Sequence, residues 1–258
     1  MDLKFKHKIA IVGGASQGIG YGIAHMLATE GVKLAITARR EKLLHEAREK
    51  IRAETGAEVL AIAADCRRAE DCARVVTKTT AHYGGLDVLV NNDGAPPLGN
   101  LLDFDDAAWQ QAIDRNLMYV VRMCRSAVPY IKARGGGSIL NISALSAIQP
   151  VAGFGLSVAT WDAVIGYAKT LSLELAPAGI NVNTICPGYI ETGRLQKVFA
   201  DGRDEAVMRR KLENEVPMRR IGTVDDVAGL AAFLVSPRGN YITGAALQID
   251  GGLFRGLR

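Results

Sequence analysis

The chain of 258 residues is 48% hydrophobic and 22% charged by side-chain type, with 31 Lys and Arg against 27 Asp and Glu and a formal net charge of +4. That length holds one large domain or two small ones and buries roughly 70–75% of the surface an unfolded chain exposes, which is ample for a core. The near-even charge balance excludes a nucleic-acid binder held by a basic stripe, so any phosphate contacts are local. Cys66, Cys72, Cys124 and Cys186 have neither CxxC spacing nor the density of a disulfide scaffold, and read as reduced, buried thiols. The first apolar run, Ile9 to Val12, is too short for a signal peptide, and no stretch approaches the roughly 20 apolar residues of a membrane span. A soluble cytoplasmic protein with no membrane partner is expected.

Short apolar runs alternate with segments of helical period, the pattern of a parallel sheet covered by helices on both faces. In chain order the expected strands are Lys8–Gly13, Lys33–Ala38, Glu58–Ala63, Asp87–Val90, Gly137–Ile142, Asn181–Ile185 and Ala245–Ile249. Between them lie expected helices at Ile19–Glu30, Glu41–Thr55, Ala69–Tyr83, about Phe104 to Arg134, Gly155–Ala176 and Val224–Val235. No Pro-rich linker and no repeat interrupts this rhythm, so a single doubly wound α/β domain of the Rossmann type, with about seven strands, accounts for residues 1–258. The highly charged stretch from Gly193 to Arg220 breaks the pattern. It reads either as a solvated helical excursion or as a lid over the strand ends, where open α/β sheets bind ligands.

The first strand runs directly into Gly14-Ala15-Ser16-Gln17-Gly18-Ile19-Gly20 and then into a helix. Glycines let the backbone turn tightly and approach a pyrophosphate, and the helix N-terminus offers unpaired N–H groups and partial positive charge. The second strand ends Ala38-Arg39-Arg40. An acid there would accept bonds from an adenosine 2′-hydroxyl, whereas two guanidiniums suit a 2′-phosphate, which favours NADP(H) over NAD(H). The blander reading pairs these arginines with Glu41 or Glu46. The four histidines cluster with no Cys or carboxylate, so no metal site is expected.

With these motifs in this order, the sequence resembles the short-chain dehydrogenase/reductase family, in the compact form that includes the 3-oxoacyl-carrier-protein reductases. Gly14 to Gly20 matches the TGxxxGxG motif with Gly13 in the Thr place, Asn91-Asn92-Asp93-Gly94 matches NNAG with Asp93 for Ala, and Thr243-Gly244 through Asp250-Gly251-Gly252 matches the terminal strand. The resemblance implies that Gly14, Ser16, Gln17, Gly18 and Ile19 cradle the pyrophosphate and that Arg39 and Arg40 hold the 2′-phosphate. It implies further that Asp65 and Cys66 hold the adenine, Asn92 and Gly94 the adenosine ribose region, and Pro187, Gly188, Ile190 and Thr192 the nicotinamide end. It also implies a homotetramer built through two long helices and the C-terminal strand.

The same resemblance implies a catalytic tetrad of Asn, Ser, Tyr and Lys, in which a phenol near pKa 10 needs the cation one helical turn away to donate its proton at pH 7. Asn116 takes the Asn place, but Ala144 takes the Ser place, Ser157 the Tyr place and Trp161 the Lys place. Tyr167 and Lys169 cannot stand in, since they lie roughly 200° apart on their helix and Tyr167 is about 15 Å along the axis from Ser157. Ser143, Ser146 and Ser157 remain as hydroxyls near the expected pocket. Two readings follow. In one, the chain is an atypical NADP(H)-dependent oxidoreductase, acting on a carbonyl or enone with a hydrophobic body through Ser157, water or the substrate's own acidic group, with Asn116 as the retained member of the tetrad. In the other it is a degenerate cofactor-binding subunit or a non-redox enzyme. Pro96-Pro97, Leu145, Val151, Phe154 and Tyr189 are the expected apolar lining.

Overall fold

The computed structural model describes residues 2–94, 96–199 and 204–257. Its strands are β1 (Ile9–Gly13), β2 (Lys33–Ala38), β3 (Val59–Ala63), β4 (Val88–Asn91), β5 (Gly137–Ile142), β6 (Ile180–Pro187) and β7 (Ala246–Ile249). They form one seven-stranded sheet in the order β3-β2-β1-β4-β5-β6-β7, with every pairing parallel. The chain moves outward from β1 to β3, then returns to lay β4 on the other side of β1. That reversal opens a crevice at the carboxyl ends of β1 and β4, where doubly wound sheets take their ligands.

Alternate residues of each strand feed opposite faces of the sheet. Ala10, Val12, Leu34, Ile36, Val88 and Val90 pack with Ile23 and Leu27 of α1 (Gly18–Thr29), Leu44 and Ile51 of α2 (Glu41–Thr55) and Val227 and Ala231 of α9 (Val224–Val235). On the other face Ile9, Ile11, Leu89, Ile139 and Val182 pack with α3 (Ala69–Tyr83), α5 (Tyr119–Ala133) and α6 (Gly155–Leu175) through Val75, Met123 and Val164. Each fully buried Val, Leu, Ile or Met among them contributes about 1.5–3 kcal/mol before entropy is counted. At the amino ends of the strands the buried carboxylate of Asp87 accepts bonds from Lys8 Nζ and the Ile9 N–H, both at 3.0 Å, and from Arg134. This clamp joins β1, β4 and α5 at the end opposite the crevice.

Several boundaries differ from the expected ones by a residue, as strand ends depend on pairing that a sequence does not display. β6 is the larger case. It extends through Pro187 because Cys186 and Pro187 still pair with Gln248 and Ile249 of β7. The expected helix over Phe104 to Arg134 is three segments: α4 (Asp106–Ile113), a π-helical turn at Asp114–Met118, and α5. The charged stretch from Gly193 to Arg220 contains α7 (Gly193–Phe199) and α8 (Glu205–Glu215); its residues 200–203 lie outside the described residues. No helix among the described residues is long and apolar enough to cross a membrane.

Candidate functional site

Between β1 and α1 the chain turns on Gly14 and Gly18, at φ of 57° and 61°, a left-handed conformation that favours glycine. Gly20 is constrained by space, because a Cβ there would lie 2.5 Å from the Gly14 carbonyl oxygen and 2.6 Å from Asn92 Nδ2. Gln17 precedes the first helical residue without a side-chain cap, and no acid stands in the first turn of α1. The leading N–H groups, with the helix dipole behind them, are therefore presented to an anion. Ser16 and Ile19 are half-buried beside this turn and Gln17 is exposed.

Asn92 holds the turn from the β4 side, its Nδ2 donating to the Gly13 carbonyl at 3.1 Å. The buried Tyr119 hydroxyl accepts from the Asn92 N–H at 3.2 Å and reaches the Asn92 carbonyl at 3.4 Å. The same hydroxyl fills the position a Cβ on Gly13 would take. This explains physically why glycine stands in the Thr place of the motif. Tyr119 carries no motif of its own, and its trace in the sequence is the glycine it requires at position 13.

A cleft opens beside the turn, lined by Gly13 and Gly14, by Thr37, Ala38 and Arg39 of β2 and its end, by Ala64 and Cys66 after β3, by Asn92 and Asp93 after β4, and by Tyr119. Arg39 is exposed and makes no ion pair among the described residues. Glu41 lies 3.7 Å from His45, so the pairing with Glu41 or Glu46 that would have given the arginines a merely structural role does not form among the described residues. Arg40 is also exposed but stands outside the cleft lining, at the start of α2. Asp65 is gripped by Arg67, whose Nε donates to Oδ1 at 2.8 Å, and this bond above all holds its carboxyl below the usual range. Cys66 is a neutral thiol. The neighbouring Cys72 thiol and burial push its pKa up, and Cys72 donates to the Cys66 carbonyl at 3.1 Å. Burial raises the Asp93 carboxyl, whose Oδ1 accepts from the N–H of the exposed Gly94 at 2.7 Å.

The segment after β6 reaches the same turn. The Gly188 N–H donates to the Ile249 carbonyl at 3.1 Å, and a Cβ on Gly188 would lie 2.8 Å from the Asp250 Cβ, so Pro187 and Gly188 sit tightly against β7. Ile190 bridges to Gly222, and the Thr192 methyl lies 3.6 Å from where a Cβ on Gly18 would be. Thr192 is thus brought over the phosphate turn, while Tyr189 bonds Glu215 of α8 at 3.0 Å and packs with Leu195, Leu212 and Ile221.

Asn116 sits in the π-helical turn, fully buried, with Nδ2 donating to Thr160 Oγ1 at 2.8 Å and Oδ1 without a partner among the described residues. Thr160, which belongs to no sequence motif, in turn donates to the Leu156 carbonyl at 2.6 Å, tying the turn to the start of α6. Ser157 is 2% exposed and Trp161 3%, and Trp161 packs in the core layer with Val164 and Met123. Ala144 follows Ser143 at the end of β5; the hydroxyls of Ser143 and Ser146 are buried without a hydrogen-bond partner of ordinary geometry among the described residues. Ser143 lies against the Cys186 thiol, whose pKa burial raises to about 12. Tyr167 lies near Cys124, and Lys169 Nζ would be 3.0 Å from a Cβ on Gly244, so neither reaches the Asn116 end. The centre therefore offers hydroxyls, an amide and an indole.

A parallel sheet with a glycine turn after its first strand, an uncapped helix beyond it and a cation at the end of the second strand defines the class of doubly wound nucleotide-binding proteins. The family model described as enoyl-(acyl carrier protein) reductase matches residues 14–254. The human protein dehydrogenase/reductase SDR family member 4 is 33% identical over 247 residues, covering 95% of this chain and 87% of the relative. The 3-oxoacyl-[acyl-carrier-protein] reductase FabG of Chlamydia muridarum is 34% identical over 254 residues, 98% of this chain and all of the relative. The structure of L-sorbose reductase from Gluconobacter frateurii, complexed with NADPH and L-sorbose, superposes with a TM-score of 0.96 at 33% identity and full coverage of both chains. The chain belongs to the short-chain dehydrogenase/reductase family of oxidoreductases.

Proposed function

We propose that the chain is an NADP(H)-dependent oxidoreductase that works without the family's usual Tyr and Lys. The observation that carries the cofactor choice is Arg39, a guanidinium without an ion pair among the described residues, lining the cleft at the end of β2 where an NAD site presents an acid. The bare backbone at Gly14, Gly18 and Gly20 and the open N–H groups of α1 fit a pyrophosphate, with Ser16, Gln17 and Ile19 around it. Arg39 takes the 2′-phosphate with Arg40 as an outer cation. Asp65 and Cys66 border the adenine, Asn92 and Gly94 the ribose region, and Pro187, Gly188, Ile190 and Thr192 the nicotinamide end. When bound, the dinucleotide supplies or accepts hydride; the chain's part is to position a carbonyl or enone beside it.

In this reading Ser157 presents a hydroxyl to the substrate oxygen and Asn116 fixes the start of α6 through Thr160. A serine hydroxyl is a poor acid at neutral pH, so the route forgoes the 10²–10⁴-fold that general acid catalysis typically gives and relies on positioning. Leu145 and Tyr189, packed with Ile148, Val216 and Phe254, support a substrate with a hydrophobic body. The lid over residues 193–220, a homotetramer and a cytoplasmic location belong to the same proposal. The free, buried state of all four cysteines is in keeping with a reducing compartment. The near-complete burial of Ser157 and Trp161 favours a second reading, a degenerate cofactor-binding subunit or non-redox enzyme.

Calorimetric titration with NADPH and NADH, followed by turnover on a panel of ketones and enones, tests the proposal. NADPH binding with slow turnover that falls in Ser157→Ala supports the oxidoreductase, and binding without turnover supports the degenerate subunit. Absence of binding by either nucleotide refutes the cofactor assignment.

A further inference from the structure

Two charged side chains line the cleft, Arg39 from the end of β2 and Asp93 from the end of β4. They do not pair, since no contact within 4.0 Å joins them. Asp93 stands where the NNAG motif has a methyl group. Its carboxylate is half-buried, held by one backbone N–H, and receives no side-chain hydrogen bond among the described residues. An acid so placed is not stabilising the fold through a pair of its own, and its charge falls on whatever occupies the cleft.

We propose that Asp93 is a specificity-determining residue for the dinucleotide. Its carboxylate draws on the field of Arg39, on which a 2′-phosphate depends, so that it weakens binding of a 2′-phosphorylated cofactor while leaving a 2′-hydroxyl cofactor nearly unaffected. The inference rests on the cofactor reading above and adds the residue that limits it. The charges facing Asp93 come from the ends of β2 and β3 and from the π-helical turn. Arg39 and Arg115 favour its ionised form and Asp65 opposes it. Arg67 is engaged by Asp65, and the Cys66 thiol and the buried Tyr119 phenol are held neutral. Burial in this setting raises the Asp93 carboxyl, so lowering the pH neutralises it sooner than an ordinary aspartate and relieves the repulsion.

The test is calorimetric titration of NADPH and NADH into the wild type, Asp93→Asn, Arg39→Ala and the double variant, with Asp93→Ser as a second neutral variant in case one fails to fold. Removing the carboxylate that offsets the Arg39 charge tightens NADPH by about three- to thirtyfold in Asp93→Asn, with NADH changed by less than about threefold. The Asp93 effect shrinks when Arg39 is absent, a coupling that a structural role for Asp93 would not produce. The ratio of variant to wild-type NADPH affinity narrows as the pH is lowered and the Asp93 carboxylate of the wild type takes up its proton, and this ratio cancels the titration of the phosphate itself. An NADPH-to-NADH preference that is unchanged or lowered in both neutral variants overturns the role of Asp93 alone. Failure of the wild type to bind either nucleotide overturns the cofactor reading first, so the two failures are told apart.

Discussion

A methyl group at Gly20 has nowhere to go. Its neighbours at 2.5 to 2.7 Å are the backbone oxygens of Gly14 and Gly13 and the Asn92 amide that clasps the turn, none of them the free end of a flexible side chain. Gly20→Ala should cost about 1–3 kcal/mol by overpacking and weaken NADPH binding, as read by thermal unfolding and titration. An unchanged melting temperature would show that the turn relaxes. Gly13 and Tyr119 form a related pair. Gly13→Thr, which restores the motif's residue, should destabilise the wild type yet cost roughly 1 kcal/mol less in a Tyr119→Phe background, where the obstructing oxygen is gone. These cases mark how far single residues were legible. That the glycine turn, Arg39, Asn92 and Cys66 would meet around one cleft was readable because each stands next to a strand end, and strand ends were visible as apolar runs. Tyr119 and Thr160 were not. Their roles come from helices brought against the turn by tertiary packing, with no local pattern to announce them.

At the scale of elements, α9 begins with a reciprocal cap whose charge makes it sensitive to acid. Thr223 Oγ1 accepts from the Asp226 N–H at 3.1 Å, Asp226 Oδ2 accepts from the Thr223 N–H at 2.7 Å, and Arg220 bonds the same carboxylate at 2.7 Å. The Arg220 guanidinium is the main cause of a carboxyl held well below its ordinary value. A depressed folded pKa means the stabilisation is fully present above the unfolded value near 3.9 and is lost as pH falls from there through the folded value. Asp226→Asn should therefore cost about 1 kcal/mol at neutral pH, and the gap between variant and wild type should close in thermal melts taken below about pH 4. The Asp87 clamp predicts a larger effect. Asp87→Ala leaves the buried Ile9 N–H without its acceptor and frees the partly exposed Lys8 and Arg134, which should cost about 1–3 kcal/mol while NADPH affinity per folded molecule stays the same, since the clamp lies at the far ends of the strands. Elements were the most legible level, because seven apolar runs of the right length admit few alternatives. The exception, the π-helical turn at Asp114–Met118, is a register change within a continuous helical period, so composition gives no sign of it.

Across the whole molecule, the surface left uncovered is uneven. The sheet ends in β7, which has no strand on its outer side among the described residues, and just before it Tyr241 is fully exposed. On α6, whose other face packs against the sheet through Trp161, Val164 and Ala168, Leu173 is 69% exposed. An exposed edge strand and isolated large apolar side chains are liabilities in a monomer. The homotetramer implied by the resemblance would cover them with two different isologous contacts, one across α5 and α6 and one across β7. If so, the two contacts are separable. Leu173→Arg places a charge in the helical contact alone and should convert a tetramer to a dimer in sedimentation velocity, with Tyr241→Arg doing the same through the strand contact and the double variant yielding monomer. The catalytic ends of the strands lie away from both, so NADPH affinity should survive each single change. A wild type that sediments as a monomer at micromolar concentration would remove the tetramer, and then Leu173 and Tyr241 need another occupant. A tetramer unmoved by either change would mean that the contacts run through other faces.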